Sequence, residues 1–265
     1  MDISGKVFVV TGAGNGIARE VTLQLLAQGA RVAGVDLNEA ALQQTAELAN
    51  AGERFTRHTV NIVDRAQVAA LPEAVKAAYG QVDGLINIAG VIQKFVKIID
   101  LPYEEIEKVM NVNFWGTINT VKAFLPELTS RPAACIVNVS SMGAYAPVPG
   151  QAVYGASKAA VRLLTEALYA ELLDTDVAVT SVFPGAIATD IAKNSGVAMG
   201  DPSAETSSFK MTSPQDAAAA IIRAIRTGAF RITIGNDARA MDRLSRLSPK
   251  LAARTIAKQM GSLLG

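Results

Sequence analysis

Tyr154 and Lys158 stand four residues apart in Tyr154-Gly155-Ala156-Ser157-Lys158, a spacing that puts both on one face of a helix. A phenol beside an ammonium can take or give a proton, provided its pKa falls from about 10 towards neutrality. A fall of about three units corresponds to about 4 kcal/mol of phenolate stabilisation, part of which the Lys158 ammonium can supply. Ser141, with Ser140 beside it, follows the apolar run Cys135-Ile136-Val137-Asn138-Val139. A hydroxyl there can hold a substrate oxygen and stabilise charge as it develops. Each residue also has a plain structural reading, since Tyr–Lys pairs occur on solvated helices and serines end many strands.

Such groups need a scaffold, and the patterning supplies one. Lys6–Thr11, Arg31–Asp36, Arg54–Val60, Gly84–Ile88, Ala133–Val139, Val177–Val182 and Arg231–Ile234 read as strands, several nearly continuous in Val and Ile, as sheets covered on both faces require. Between them Gly16–Gln28, Glu39–Asn50, Arg65–Tyr79, Tyr103–Leu125, Val153–Leu173 and Pro214–Arg226 carry helical period. Asp64 and Ser213-Pro214 read as helix starts. This alternation predicts a single α/β domain over residues 1–265, a Rossmann-type doubly wound parallel sheet of about seven strands with helices on both faces. Two segments break the rhythm. Residues 190–210 read as a loop or lid. Residues 237–265 read as a helical extension interrupted at Pro249, with an apolar stripe of Leu251, Ile256, Met260 and Leu263 beside Lys250, Arg254 and Lys258.

The first strand runs into Thr11-Gly12-Ala13-Gly14-Asn15-Gly16-Ile17-Ala18, and a helix follows. Gly12 permits a tight turn, Gly16 lets a diphosphate approach, and the helix N-terminus offers unpaired N–H groups to the anion. Asp36 ends the second strand, where its carboxylate can accept from ribose hydroxyls and repel a 2′-phosphate. Neither Asn15 nor Leu37 supplies a cation for that phosphate. The expected cofactor is therefore NAD rather than NADP.

The ordered set Thr11–Ala18, Asn61-Ile62, Asn87-Ile88-Ala89-Gly90, Asn113, Ser141, Tyr154–Lys158 and Pro184-Gly185 resembles the short-chain dehydrogenase/reductase superfamily over about residues 5–235. The resemblance implies a secondary alcohol–ketone oxidoreductase with Tyr154 as general acid/base and Ser141, rather than Ser140, holding the substrate oxygen. It also implies that Lys158 binds the nicotinamide ribose and that Asn113, rather than Asn111, carries a water-linked proton relay. Cofactor contacts are then expected from Gly12, Asn15, Gly16, Ile17, Asp36, Asn61, Ile62, Asn87, Ala89, Gly90, Tyr154, Lys158, Pro184, Gly185, Ile187 and Thr189. Three residues depart from the family pattern. Ala18 replaces a third glycine, Asn61 a common Asp, and Ile88 a second Asn; Ala still packs closely, and the Asn61 amide oxygen still accepts.

Met142, Tyr145, Val148 and Ile191, with Val91, Val197, Met199 and Phe209, suggest a mostly apolar substrate. A homodimer or homotetramer built on the helices of Tyr103–Leu125 and Val153–Leu173 is implied by the same resemblance. Residues 216–265 carry nine Lys or Arg against three Asp, a charge of +6, while the whole chain is +1. The plain reading is a solvated, internally paired face; peripheral membrane contact through the extension is the less favoured one, and no nucleic-acid partner is expected. Cys135 is the only cysteine, which rules out an internal disulfide. With no apolar run of spanning length and no secretory pattern at Met1–Lys6, a cytoplasmic location is expected. His58 reads as structural and no metal site is expected. The rival function class is a non-catalytic NAD-binding sensor, which the intact Ser–Tyr–Lys set disfavours.

Overall fold

The computed structural model describes residues 1–197 and 211–261. Strands β1 (Val7–Thr11), β2 (Arg31–Asp36), β3 (Phe55–Thr59), β4 (Gly84–Asn87), β5 (Ala134–Val139), β6 (Val177–Pro184) and β7 (Arg231–Ile234) form one sheet. Their order is β3-β2-β1-β4-β5-β6-β7, and every neighbouring pair is parallel. The chain starts at β1, winds outward to β3, then returns to β4 and winds the other way. The direction therefore reverses between β1 and β4, where a crevice opens at the carboxyl ends of the strands.

Helices α1 (Gly16–Ala27), α2 (Glu39–Ala49), α3 (Arg65–Tyr79), α4 (Tyr103–Met110), α5 (Gly116–Thr129) and α6 (Ala152–Glu171) connect the first six strands. A one-turn α7 (Ile191–Asn194), then α8 (Pro214–Thr227), α9 (Asn236–Leu247) and α10 (Pro249–Met260) complete the described elements. Strand period divides the apolar residues between two cores. Phe8 and Val10 pack with Leu25, Ile221 and Ile225 of α1 and α8. Val7 and Val9 pack on the other face with Val75, Phe124 and Leu168 of α3, α5 and α6. Asp64 caps α3 by accepting from Ala66 and Gln67 N–H, and Ser213 caps α8, as their sequence positions predict.

Some expectations change. The helix expected over Tyr103–Leu125 is α4 and α5 joined by a π-helical turn at Asn111–Trp115. One extra residue in that turn swings Asn113 fully inside while leaving Trp115 at the surface under the Arg65 guanidinium. Ile191, expected in a loop, starts α7. In the extension, Ala252 and Ile256 are buried against Ala146 and Met241, but Leu251 is 52% exposed; the apolar stripe runs one residue to its side. Met199, Phe209 and Leu263 lie outside the described residues. Asp242 pairs with Arg231 (2.6 Å) and Arg246 (3.2 Å), so part of the basic charge is internally matched. His58 lies on β3 beside the Thr56 hydroxyl, 3.0 Å from Nε2, and burial lowers its pKa.

At the opposite end from the crevice, Asp83 locks the central strands. Its carboxylate accepts from Val7 N–H (2.9 Å), Gln81 (2.7 Å) and Arg131 Nε (3.0 Å), with Lys6 at 3.6 Å. Its backbone pairs with Val7 on one side and Cys135 on the other. The carboxylate is fully buried, so removing it strands an N–H and part of two cations. Asp83→Ala is expected to lower the unfolding free energy by about 3 kcal/mol, read as a lower urea midpoint at unchanged slope; a loss under about 1 kcal/mol would contradict this account.

Candidate active site

After β1 the backbone turns at Gly12, whose φ is +77°; a Cβ there would stand 3.0 Å from Ala89 Cα. Gly12 and Ala13 N–H donate to Val35 O (2.8 and 3.1 Å). The Thr11 hydroxyl accepts from Ile88 and Ala89 N–H (3.1 and 3.2 Å). The turn is thus stitched to the ends of both β2 and β4. Helix α1 begins after Asn15, which makes no side-chain cap, and no acid occupies the first turn. That helix end opens on a cavity of about 1240 Å³ whose wall includes Gly12, Asn15, Gly16, Ile17 and Ala18. Its free N–H groups and positive dipole end suit an anion. Asp36 faces the same cavity, accepting from Gly14 N–H at Oδ2 and Asn38 N–H at Oδ1, both 2.9 Å. A Cβ at residue 14 would lie 2.8 Å from Asp36 Oδ2, so glycine there makes room for the carboxylate. Asn61, Ile62, Ala89, Gly90, Pro184, Gly185, Ile187 and Thr189 continue the wall. This elongated donor set, with an acid at one end and an anion seat in the middle, fits a nicotinamide dinucleotide.

Two expected contacts lie behind the wall. Asn87 is buried, donating to Asn138 Oδ1 (2.9 Å) and accepting from Thr120 Oγ1 (2.8 Å); its side chain is not brought to the cavity. Asn113 accepts from Val91 N–H (2.8 Å) and donates to Val91 O and Ser157 Oγ, both 2.9 Å. It nevertheless meets Lys158 at Gly90, where a Cβ would stand 3.1 Å from both Asn113 Oδ1 and Lys158 Nζ. The π-turn is what aims Asn113 there.

Ser141, Tyr154 and Lys158 all line the cavity. Ser141 follows β5, and its hydroxyl accepts from Gly143 N–H (3.0 Å). Ser140 borders the cavity too, but its hydroxyl is turned inward, donating to Lys158 O (2.7 Å). Tyr154 lies in the first turn of α6, one turn before Lys158. The buried Lys158 ammonium donates to Val139 O (3.0 Å), and burial pulls its pKa down to about 8. Burial pushes the Tyr154 phenol up, opposed by the Ser141 hydroxyl. The fall expected for Tyr154 is therefore not delivered by the protein's own groups: desolvation outweighs what Ser141 supplies.

The expected substrate contacts divide. Val91 and Ile191 line the main cavity, joined by Ile92. Met142, Tyr145 and Val148 pack instead against the cluster of Ala146, Met241 and Ile256. Tyr145 donates its hydroxyl to Ala238 O (2.9 Å), and Tyr145 and Val148 line a separate, shallower groove. The α9–α10 extension thus fixes the segment after Ser141. Sequence reasoning missed Arg57 and Lys108 on the cavity wall. Arg57, two strand positions before Thr59, is bonded to Gln43 Oε1, and Lys108 donates to Ser195 O (3.1 Å). Alternation puts Arg57 on the same face of β3 as the buried Phe55, and nothing in the sequence signals either Arg57 or Lys108.

A lysine pKa lowered from 10.5 to about 8 by burial opposes folding wherever the unfolded chain is charged. The penalty is full below pH 8 and fades as pH rises to about 10.5, because the unfolded chain then no longer holds the extra proton. Lys158→Met is expected to raise stability at pH 7 by about 2 kcal/mol, the desolvation gain less one hydrogen bond. Urea titrations from pH 7 to 10.5 should show the gain shrinking; a gain constant with pH would contradict the burial cause.

The comparisons with known proteins agree with this geometry. Residues 6–199 match the model of the short chain dehydrogenase family. The Mycobacterium tuberculosis protein named oxidoreductase SadH is 36% identical over 261 residues, covering 96% of this chain and 94% of that one. A short-chain dehydrogenase/reductase from Burkholderia phymatum, solved in complex with NAD, superposes with a TM-score of 0.84 at 28% identity, covering 96% and 97% of the two chains. A short chain dehydrogenase from Burkholderia cenocepacia, in complex with NADP, gives 0.81 at 28% identity over 97% and 99%. With a seven-stranded parallel sheet, a glycine turn at its reversal point and a serine, tyrosine and lysine on one cavity wall, this chain belongs to the short-chain dehydrogenase family of oxidoreductases.

Proposed function

We propose that the protein interconverts a secondary alcohol and a ketone with NAD as hydride carrier. The observation that carries this reading is the convergence of Ser141, Tyr154 and Lys158 on the cavity that also holds the glycine turn and Asp36. The cofactor would lie with its diphosphate at the N-terminus of α1, its adenosine ribose on Asp36, and its nicotinamide end towards Gly90, Pro184-Gly185, Ile187 and Thr189. When bound, it accepts or returns the hydride. Tyr154 takes the carbinol proton in oxidation and returns it in reduction. Ser141 holds the reacting oxygen. Lys158 orients the ribose and, protonated below its pKa of about 8, favours the phenolate. Asn113 fixes the Val91 backbone and stands beside Lys158 at the head of a proton path.

Preference for NAD is supported by both Asp36 oxygens facing that end of the cavity under backbone donors. Arg57 lies on the same cavity wall and, bonded to the neutral Gln43 amide, keeps its positive charge; Asp36 is the acid that opposes it there. Val91, Ile92 and Ile191 support an apolar substrate. Exposed Tyr103, Trp115, Leu163 and Tyr169 on the faces of α4 to α6 support assembly of copies through those helices.

The test is NADH formation at 340 nm with a panel of aliphatic and cyclic secondary alcohols. Turnover should require NAD+, and Tyr154→Phe should reduce kcat at least about 10³-fold with NAD+ affinity kept within about threefold. Asp36→Ala should narrow the preference for NAD over NADP by about tenfold or more. Binding of NAD+ without turnover of any alcohol in the panel would favour the sensor reading, and full activity in Tyr154→Phe would refute the assigned chemistry.

A further inference from the structure

The first turn of α6 has a supply problem. Its opening N–H groups have no partner within the helix, Gln151 at the cap position makes no side-chain cap, and no acid lies in the first turn. The acceptor comes from the loop after β4, some sixty residues earlier. Gln93 Oε1 accepts from Val153 N–H (2.9 Å) and from Tyr154 N–H (3.0 Å). The rest of the Gln93 amide is used as well. Its Nε2 donates to Gly150 O (2.9 Å), and Gln151 Nε2 donates back to Gln93 O (2.7 Å). Both glutamines are buried, Gln93 fully.

We propose that Gln93 is a positioning residue for Tyr154, holding the phenol in register with Ser141 by gripping Tyr154 at its own backbone N–H. The inference rests on the acid–base assignment of Tyr154 above. Gln93 is continuous with Gly90-Val91, which wall the cavity, and Val91 is itself held by Asn113 through its N–H and its carbonyl. The loop that borders the reacting centre and the helix that carries the base are thereby one rigid piece. The choice of an amide has a chemical reason. A carboxylate would accept the same two N–H groups and suit the helix dipole, but it would set a negative charge beside a phenol that must ionise. An amide accepts twice and carries no charge. Placing a reacting group to a fraction of an ångström matters because a 1 Å error can cost about 100-fold in rate.

The test compares Gln93→Met, which keeps the volume and loses the acceptor, with Asp83→Ala as a destabilised control remote from the site. With the alcohol that the panel turns over fastest, Gln93→Met should lower kcat by about 30-fold, with KM and NAD+ affinity within about threefold. Asp83→Ala, measured well below its unfolding transition, should leave kcat unchanged. Amide exchange gives a readout that needs no turnover. Val153 and Tyr154 N–H should exchange at least about tenfold faster in Gln93→Met, and Gln93→Glu, which retains the acceptor, should restore their protection. If Gln93→Met does not fold, Gln93→Asn withdraws the acceptor by one methylene and takes its place. An unchanged kcat, a kcat lowered equally by Asp83→Ala, or unchanged exchange at the two amides would each overturn the inference. Loss of activity in Tyr154→Phe together with full activity in Gln93→Met would sink this inference alone; full activity in Tyr154→Phe would sink the function it rests on.

Discussion

A parallel sheet covered on both faces has nowhere to put polar chemistry except at its carboxyl edge. The strands through the middle here are apolar on both sides, split between the α1–α8 core and the α3–α5–α6 core. The polar groups that do enter must therefore satisfy one another. Asn87, Asn138, Thr120 and Thr165 do so in one chain of hydrogen bonds across β4, β5, α5 and α6. That chain lies directly beneath the edge where β1 and β4 part. It joins the carboxyl ends of β4 and β5, after which the Gly90 loop and the serine segment begin. The crevice is a result of strand order, and its floor is a result of this network.

The electrostatics of the site follow from the same burial. Desolvation penalises both charged forms, lifting the phenol of Tyr154 and lowering the ammonium of Lys158. By itself the protein drives the pair towards neutrality. A positive ligand charge admitted to the cavity would oppose that drive and favour the phenolate.

Fold class and the groups with a fixed spacing were legible because both are local patterns. Strand and helix periods recur every few residues, and Tyr154 and Lys158 sit one turn apart whatever surrounds them. What escaped was contact between distant segments. The π-turn at Asn111–Trp115 leaves the apolar period of Tyr103–Leu125 nearly intact, so the sequence reads as one helix. Gln93 has no signature, since its partners are backbone groups about sixty positions away. Tyr145 shows how residue type misleads: an aromatic close to Ser141 suggests a substrate contact, yet its hydroxyl is committed to Ala238 O. The extension that claims it could not be placed from its own sequence. Its helices were readable, but which surface they cover depends on Ala146 and Met241 meeting in space.

Cys135 is the second residue of β5, at 1% exposure, with its Sγ 2.9 Å from where a Cβ on Gly84 would stand. Burial pushes its thiol up to about 12, so almost no thiolate exists to react with oxidants or alkylating agents. The chain's only cysteine is thereby quiet towards thiol reagents. For spectroscopy this makes the native chain a clean background. A single cysteine introduced on the surface, beside Ser195 or on α10, would be the one reactive thiol a fluorophore could find, and could report on the surroundings of α7 or of the extension without removing any native residue from the core.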